Sequence, residues 1–230
     1  LILADTVTLV DTVKAPFHDE MMARIASVVE PERIRTIVSN HSEMDHSGCL
    51  ARVVAAVKPE SVVASPNGVK ALHAHFHDSF SVQAVKDGDT LSLGNRTLTF
   101  LDTKMLHWPD SMMTYLVEEK LLFSQDGFGM HLASTERFAD ELPADVLGNE
   151  AAKYYANILL PFSRFVSRLL ERIGTLGLEF DLVCPDHGPI WRGQGFGRIA
   201  RDYARWAKQE PTRKVVVTYA TMWGSTELMA

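Results

Sequence analysis

The 230-residue sequence has only two cysteines, Cys49 and Cys184, and neither belongs to a Cys-x-x-Cys motif. This scarcity excludes a disulfide framework and favours a reducing, cytoplasmic setting. Long apolar runs are also lacking, because none approaches the roughly 18–20 residues that a membrane-spanning helix requires. The smooth apolar stretches, such as residues 214–217, have the length of a strand. We therefore expect no association with a membrane.

Positive charge is not in excess either. Lys and Arg number 23 against 29 Asp and Glu, which gives a formal net charge of −6. No global basic field exists to attract a polyanion, so a nucleic acid is disfavoured as a ligand. Hydrophobic residues make up 46% and charged residues 23% of the chain, as in an ordinary globular protein. The length suits one large domain or two small ones.

Hydrophobic patterning predicts helices that alternate with strands and then a run of hairpins. The expected helices cover residues 18–29, 49–57, 67–76, 151–173 and 199–209, and Pro161 is expected to kink or break the fourth. The expected strands lie within residues 1–13, 34–38, 61–64, 90–102, 112–124 and 180–184. This order favours an α/β sandwich, in which helices cover two sheets, over a simple parallel sheet.

The two ends of the chain predict a longer protein. Leu1 lies inside an apolar run and is not a methionine, whereas Ala230 closely follows a motif that should open a helix. Pro211 suggests a domain boundary, after which residues 214–219 have the pattern of a new strand. We expect one domain over residues 1–211, with its N-terminal part missing, and the truncated beginning of a second over residues 212–230.

The strongest chemical signal is the loop that follows the predicted strand 34–38. Four potential metal ligands occur within six residues: His41, Glu43, Asp45 and His46. In extended backbone the first three point the same way, and His46 could reach the far side of a two-metal site. Packing carboxylates and imidazoles so closely is electrostatically costly unless a cation compensates.

Three further candidate ligands lie in short turns at the ends of other predicted strands. They are His107 in Leu-His-Trp-Pro-Asp, Asp126 before a glycine, and His187 in Asp-His-Gly-Pro. Each alone is an ordinary turn residue, but together with the first loop they suggest a shared site. The segment 73–78, His-Ala-His-Phe-His-Asp, imitates a ligand motif, yet it lies at the end of a predicted helix and is interpreted as surface.

These separated motifs, taken in order, resemble the metallo-β-lactamase superfamily, whose hydrolases begin with His-x-His-x-Asp-His. Here Glu43 stands where the second histidine would be, and the resulting His-x-Glu-x-Asp-His form resembles the flavodiiron proteins (A-type flavoproteins). The resemblance covers essentially the whole chain. It implies a metallo-β-lactamase-like αββα sandwich, followed by the first strand of a truncated flavodoxin-like domain.

The resemblance also implies a diiron centre. His41, Glu43 and His107 would hold one iron, Asp45 and His187 the other, and Asp126 would bridge them. His46 would either bind the second iron or turn away. A carboxylate in place of a histidine has a physical sense, because an anionic oxygen ligand favours iron over zinc.

A second motif follows residues 215–218. It resembles the FMN-phosphate loop of flavodoxins, in which hydroxyls and backbone N–H groups face a phosphate. The residues that would bind FMN there are Thr221, Met222, Trp223, Gly224, Ser225 and Thr226. Most of the flavodoxin-like domain is absent, so we expect this chain alone to be inactive with a protein donor.

By resemblance, the whole protein would reduce O2 to water, NO to N2O, or both, with electrons passed through FMN from a rubredoxin-like or other donor protein. The assembly would be a head-to-tail homodimer, in which the flavin of one subunit lies near the diiron site of the other. Trp108 and the adjacent Tyr154 and Tyr155 would line the gas pocket, although core packing explains helical tyrosines equally well.

Two alternatives remain open at this point. A dinuclear zinc hydrolase of the same fold would use the same ligands to activate water; Glu43 and the flavin motif argue against it. The other alternative is a metal-free scaffold that only mediates dimerisation, and the complete ligand set argues against it.

Overall fold

The computed structural model describes all 230 residues and contains two β-sheets. The first sheet has four strands in the order β1–β2–β3–β4, all parallel. Parallel neighbours need crossover connections, and helices supply them. The strands are β1 Val7–Val10, β2 Ile34–Ser39, β3 Ser61–Ala64 and β4 Gln83–Ala84, and the helices are α1 His18–Ala26, α2 Met44–Ser47, α3 Leu50–Val57 and α4 Pro66–Phe76.

The second sheet has six strands in the order β10–β9–β8–β7–β6–β5. All its neighbours are antiparallel except β8 and β9, which are parallel because a helical crossover separates them. Its strands are β5 Thr90–Ser92, β6 Thr97–Asp102, β7 Met112–Leu116, β8 Leu121–Gln125, β9 Leu182–Pro185 and β10 Trp191–Arg192. The helices on this side are α5 Ala144–Tyr154, α6 Ser163–Leu176 and α7 Gln194–Ala207.

Three apolar cores show that the layers stack as helix, sheet, sheet and helix. Val38 and Val63 of the first sheet meet Phe100 and Met112 of the second in the central core. A second core joins the outer face of the first sheet to α1, α3 and α4. A third joins the second sheet to α5, α6 and α7. The predicted αββα sandwich is therefore confirmed.

The long helix predicted over residues 151–173 is two helices joined by an irregular segment. Residues Tyr155–Leu159 form one π-helical turn, and Leu160–Phe162 a short 3-10 turn that contains Pro161. Proline cannot donate a backbone hydrogen bond in a helix interior, so the predicted break occurs where it stands. The helices extend further than expected at the outer ends, to Ala144 and Leu176.

The strand predicted over residues 214–219 is not formed. These residues pair with no other strand, and Val215 is 90% exposed. Extended residues form a stable strand only when a neighbour accepts their hydrogen bonds, and no strand of this chain lies beside them. Similarly, the first predicted strand is limited to Val7–Val10, with one isolated bridge between Ile2 and Thr8.

No helix is both long enough and apolar enough to span a membrane.

Candidate metal centre

All candidate ligands meet at one edge of the sandwich, and the topology explains why. His41 follows β2, whereas Asp126 and His187 follow the parallel strands β8 and β9. His107 lies in the connection from β6 to β7, and β7 is antiparallel to β8, so this connection reaches the same edge. The N–H of Met112 donates to the carbonyl of Asn40 at 2.9 Å, which ties the two sheets together there.

The first ligand group consists of His41, Glu43, His107 and Asp126, each of which offers one atom within 4.8 Å of the others. The Glu43 carboxylate oxygen Oε2 lies 3.3 Å from His41 Nε2 and 3.1 Å from His107 Nε2. Oxygen Oδ2 of Asp126 lies 3.3 Å from the same two nitrogens. Two imidazoles and two carboxylates thus face one point.

The second ligand group consists of Asp45, His46 and His187, which meet the same 4.8 Å criterion. Nε2 of His187 lies 3.3 Å from Asp45 Oδ2, and Nε2 of His46 lies 3.6 Å from Asp45 Oδ1. His46, whose direction the sequence leaves open, therefore faces the second group with the nitrogen that can bind a metal.

Asp126 lies between the two groups and presents a different oxygen to each. Oδ2 faces the first group, whereas Oδ1 lies 3.4 Å from His46 Nε2 and 3.3 Å from His187 Nε2. The hydroxyl of Tyr154 also donates to Oδ1, at 2.8 Å. This is the arrangement expected of a carboxylate shared by two cations.

The charge balance of the cluster also favours cations. Burial lowers the pKa of His41, but the hydrogen bond to Asp110 and the nearby carboxylates of Asp126 and Glu43 outweigh it and raise the pKa to about 12. Burial likewise opposes the charge on His46, yet Asp126 and Asp186 raise its pKa to about 10. Burial favours neutral Asp126, but four histidine nitrogens within 3.4 Å of its oxygens hold its pKa far below the usual range. Positive charge inside the cluster is strongly stabilised.

Four buried ligand atoms have no hydrogen-bond partner. They are Nε2 of His41, Nε2 of His46, Oδ1 of Asp45 and Oδ2 of Asp126. Unpartnered buried polar atoms are rare because each costs about 1–3 kcal/mol. Their positions inside the two ligand groups give that cost a reason, since metal ions would partner all of them. The residues present therefore fit a dinuclear metal site.

Three acidic residues support the ligands, and sequence reasoning missed these roles because the only signal was their proximity to the motifs. Asp110 accepts hydrogen bonds from Nδ1 of His41 at 3.1 Å and from the backbone N–H of Ser42 at 2.6 Å. Asp186 accepts from Nδ1 of His46 at 2.7 Å. Asp11, buried behind the loop, accepts from the N–H of Asn40 at 2.7 Å. Their partners are distant in sequence, so only the fold reveals them.

The predicted pocket residues divide into two sets. Tyr154 contacts Asp126 as described, and the Trp108 ring packs edge-on against His41 with centroids 5.4 Å apart. Tyr155 instead faces the helical layer, where its ring lies 5.0 Å from Tyr203. Core packing therefore describes Tyr155, whereas Trp108 and Tyr154 lie at the ligand cluster.

A cavity of about 360 Å³ opens beside the second ligand group. Asp45, His46 and His187 line it together with Lys14 and His131. Solvent also reaches the first group, because the side chains of Glu43 and His107 are 35% and 16% exposed, whereas His41 is fully buried. The cluster is therefore accessible to solvent on the side of each group.

The candidate FMN loop is folded only locally. The N–H of Gly224 donates to Thr221 Oγ1 at 2.9 Å, and the short helix α8, Ser225–Met229, follows. Met222 and Trp223 are 84% and 87% exposed. The imitation motif at residues 73–78 lies at the end of α4 and contributes to neither ligand group.

Comparison with known proteins identifies the family of the chain. The family model described as ODP family beta lactamase matches residues 1–188. The nitric oxide reductase of Moorella thermoacetica is 43% identical over 231 residues, which cover 100% of this chain and 58% of the relative.

Two solved structures are similar throughout. The rubredoxin oxygen:oxidoreductase of Desulfovibrio gigas superposes with a TM-score of 0.97 at 43% identity, over 100% of this chain and 58% of that one. The flavodiiron protein of Giardia intestinalis gives a TM-score of 0.84 at 36% identity, over 88% of this chain and 49% of that one. The chain thus spans about half the length of these proteins.

Proposed function

Because the chain belongs to the ODP family of beta-lactamase-fold proteins, we propose that its two ligand groups hold two iron ions for the reduction of O2 to water, NO to N2O, or both. The single observation that carries this proposal is the Asp126 carboxylate, which presents one oxygen to each ligand group. A related structure is that of an oxygen oxidoreductase, and a relative is a nitric oxide reductase.

The proposed ligands divide as the geometry groups them. His41, Glu43 and His107 would hold the first ion, and Asp45, His46 and His187 the second, with Asp126 shared. Paired irons supply redox chemistry to a bound gas, which zinc does not. The anionic oxygen of Glu43 in a position where the hydrolases have an imidazole favours this reading over a dizinc hydrolase.

The surrounding residues would orient the ligands and control access. The Tyr154 hydroxyl donates a hydrogen bond to Asp126 and so fixes the rotation of the shared carboxylate. Burial raises the pKa of Tyr154, which keeps this hydroxyl protonated as a donor. The reduction consumes protons, and the cavity beside His187 gives solvent a path to the second group.

Electron delivery is proposed to need more of the protein than this chain. Residues 1–211 would form the diiron domain and residues 212–230 the beginning of an FMN domain, whose phosphate loop is Thr221–Thr226. A rubredoxin-like or other donor protein would reduce the FMN. A head-to-tail homodimer would bring the flavin of one subunit close to the irons of its partner. A cytoplasmic location remains a prediction from the scarcity of cysteine.

The test is metal loading followed by turnover. The purified chain, loaded anaerobically with Fe²⁺ and desalted, is expected to retain two irons, measured by elemental analysis. The longer flavin-containing protein is then expected to consume O2 or NO when its donor is supplied. One iron or none in the chain would refute the diiron site, and a loaded, flavin-replete protein that consumes neither gas would refute the reductase activity.

A further inference from the structure

Two of the four ligand histidines have a carboxylate behind them, one in each group. Nδ1 of His41 hydrogen-bonds to Asp110, and Nδ1 of His46 hydrogen-bonds to Asp186. A carboxylate at Nδ1 fixes the ring orientation and leaves Nε2 as the metal-binding atom. His107 and His187 have no such partner at Nδ1. Each ion would therefore have one histidine whose direction another residue determines.

The two supporting carboxylates are held very differently. The Asp110 side chain is 4% exposed and also accepts from Ser42, through the backbone N–H at 2.6 Å and the hydroxyl at 2.7 Å. The Asp186 side chain is 26% exposed, and its only hydrogen-bond donor is His46. Only its backbone is anchored, by an N–H that donates to the carbonyl of Gln125 at 2.9 Å. The carboxylate behind His41 is thus held by several hydrogen bonds, whereas the carboxylate behind His46 has only the one to that ring.

The His46 side chain is 2% exposed and packs against the rings of His41 and His187, with centroids 4.9 and 5.1 Å away, but a cavity adjoins it. His46 and Asp186 both line the cavity of about 360 Å³ beside the second group. The His41 ring has no such space, because Trp108, His46 and His107 surround it with centroid distances of 4.9–5.4 Å. Aromatic rings therefore surround His41 on three sides, whereas His46 has packing on two sides and a cavity beside it, so the hydrogen bond to Asp186 contributes more to the orientation of its ring.

We propose that Asp186 is a positioning residue that keeps Nε2 of His46 directed at the second ligand group. Asp186 thereby determines whether the second ion has His46 as a ligand or only Asp45, His187 and the shared Asp126. This inference rests on the proposed dinuclear site. His46, the last histidine of the first loop motif, would thus depend for its role as a ligand on a carboxylate 140 residues further along the chain.

The test uses Co²⁺ in the purified chain, because the visible absorption of Co²⁺ changes with its number of ligands. Asp186→Asn removes the charge that strengthens the hydrogen bond to His46 and is expected to weaken the second Co²⁺ by about 10–100-fold, the usual effect of mutating an outer partner of a ligand, and to change its absorption. The affinity of the first Co²⁺ should stay the same, which also shows that the variant is folded. Asp186→Glu should recover part of the loss.

Two further variants separate positioning from a general effect. Asp181→Asn removes an exposed carboxylate just before β9 and should change neither affinity. The double variant His46→Ala/Asp186→Asn should bind the second ion no more weakly than His46→Ala alone, because Asp186 acts only through that ring.

The proposal is overturned if Asp186→Asn leaves both affinities and the spectrum unchanged, or if the double variant is clearly weaker than His46→Ala. Failure of the proposed function has a different signature. In that case the unmodified chain itself binds fewer than two Co²⁺ ions, and the positioning role falls with the site.

Discussion

Asp126→Asn is the sharpest test of the shared carboxylate, because it keeps the shape of the side chain and removes only its charge. In the folded protein that charge faces four imidazole nitrogens at 3.3–3.4 Å, and the side chain is 3% exposed. A unit charge about 4 Å from another contributes roughly 4 kcal/mol at an effective dielectric constant of about 20. Two cations that share the carboxylate would each lose at least this attraction.

A loss of roughly 4 kcal/mol corresponds to about a thousandfold weaker binding. If the amide oxygen recovers half of that energy, about 30-fold remains. We therefore expect Asp126→Asn to lose at least one iron after desalting, as measured by elemental analysis and chelator competition. Tyr154→Phe is the matched comparison, since it removes the donor to the same oxygen but leaves the charge; the loss of this outer hydrogen bond should weaken iron binding by about tenfold, less than the loss of the charge. Two irons with unchanged affinity in Asp126→Asn would refute the bridging role.

Four other features can be tested in the same way. The pKa values of His41 and His46, about 12 and about 10, lie above the unfolded value of about 6.5. The stability that these two imidazoles contribute to the metal-free protein should therefore be complete below about pH 6.5 and decrease as pH rises towards 10 and beyond; urea midpoints that do not fall over this range would contradict this. A methyl group at Gly129 would lie 3.0 Å from the backbone carbonyl oxygen of His187, so Gly129→Ala should weaken binding of the second iron by about tenfold; an unchanged iron affinity would argue against this. At Gly174 on α6 a methyl group would meet nothing within 4 Å, so Gly174→Ala should raise the free energy of unfolding by about 0.5–1 kcal/mol; a lower urea midpoint would argue against this. Finally, the exposed loop 221–226 should retain no equimolar FMN after desalting, and flavin absorbance at one equivalent would disprove this.

Most elements could be predicted because local pattern and global fold agree. The apolar spacing of α1 and the short buried run of β2 each have one consistent interpretation, and the structure keeps both. The predictions failed where local pattern competed with context. Helix α7 begins at Gln194 rather than Ile199, because packing on the second sheet overrides the low helix propensity of Gly195 and Gly197. Residues 214–219 fit a strand in pattern but have no neighbour to pair with.

The candidate ligands could be predicted because each follows or precedes a strand, and strand ends at one sheet edge converge. Which atoms face which group could not be predicted, because this depends on side-chain rotation. The His46 ring illustrates the point, since its direction depends on Asp186, a residue brought near by the parallel pairing of β8 and β9. No spacing within the first loop contains that information.

The adjacent tyrosines at the end of α5 connect the two ligand groups to the outer helices. Tyr154 hydrogen-bonds to the shared carboxylate, and the ring of Tyr155 packs against those of Tyr203 and Trp206 of α7. One peptide bond separates the two contacts, at the point where the helix changes to a π-turn. The residue that orients the shared carboxylate is therefore covalently adjacent to the residue that packs on α7, so both contacts depend on the same helix end.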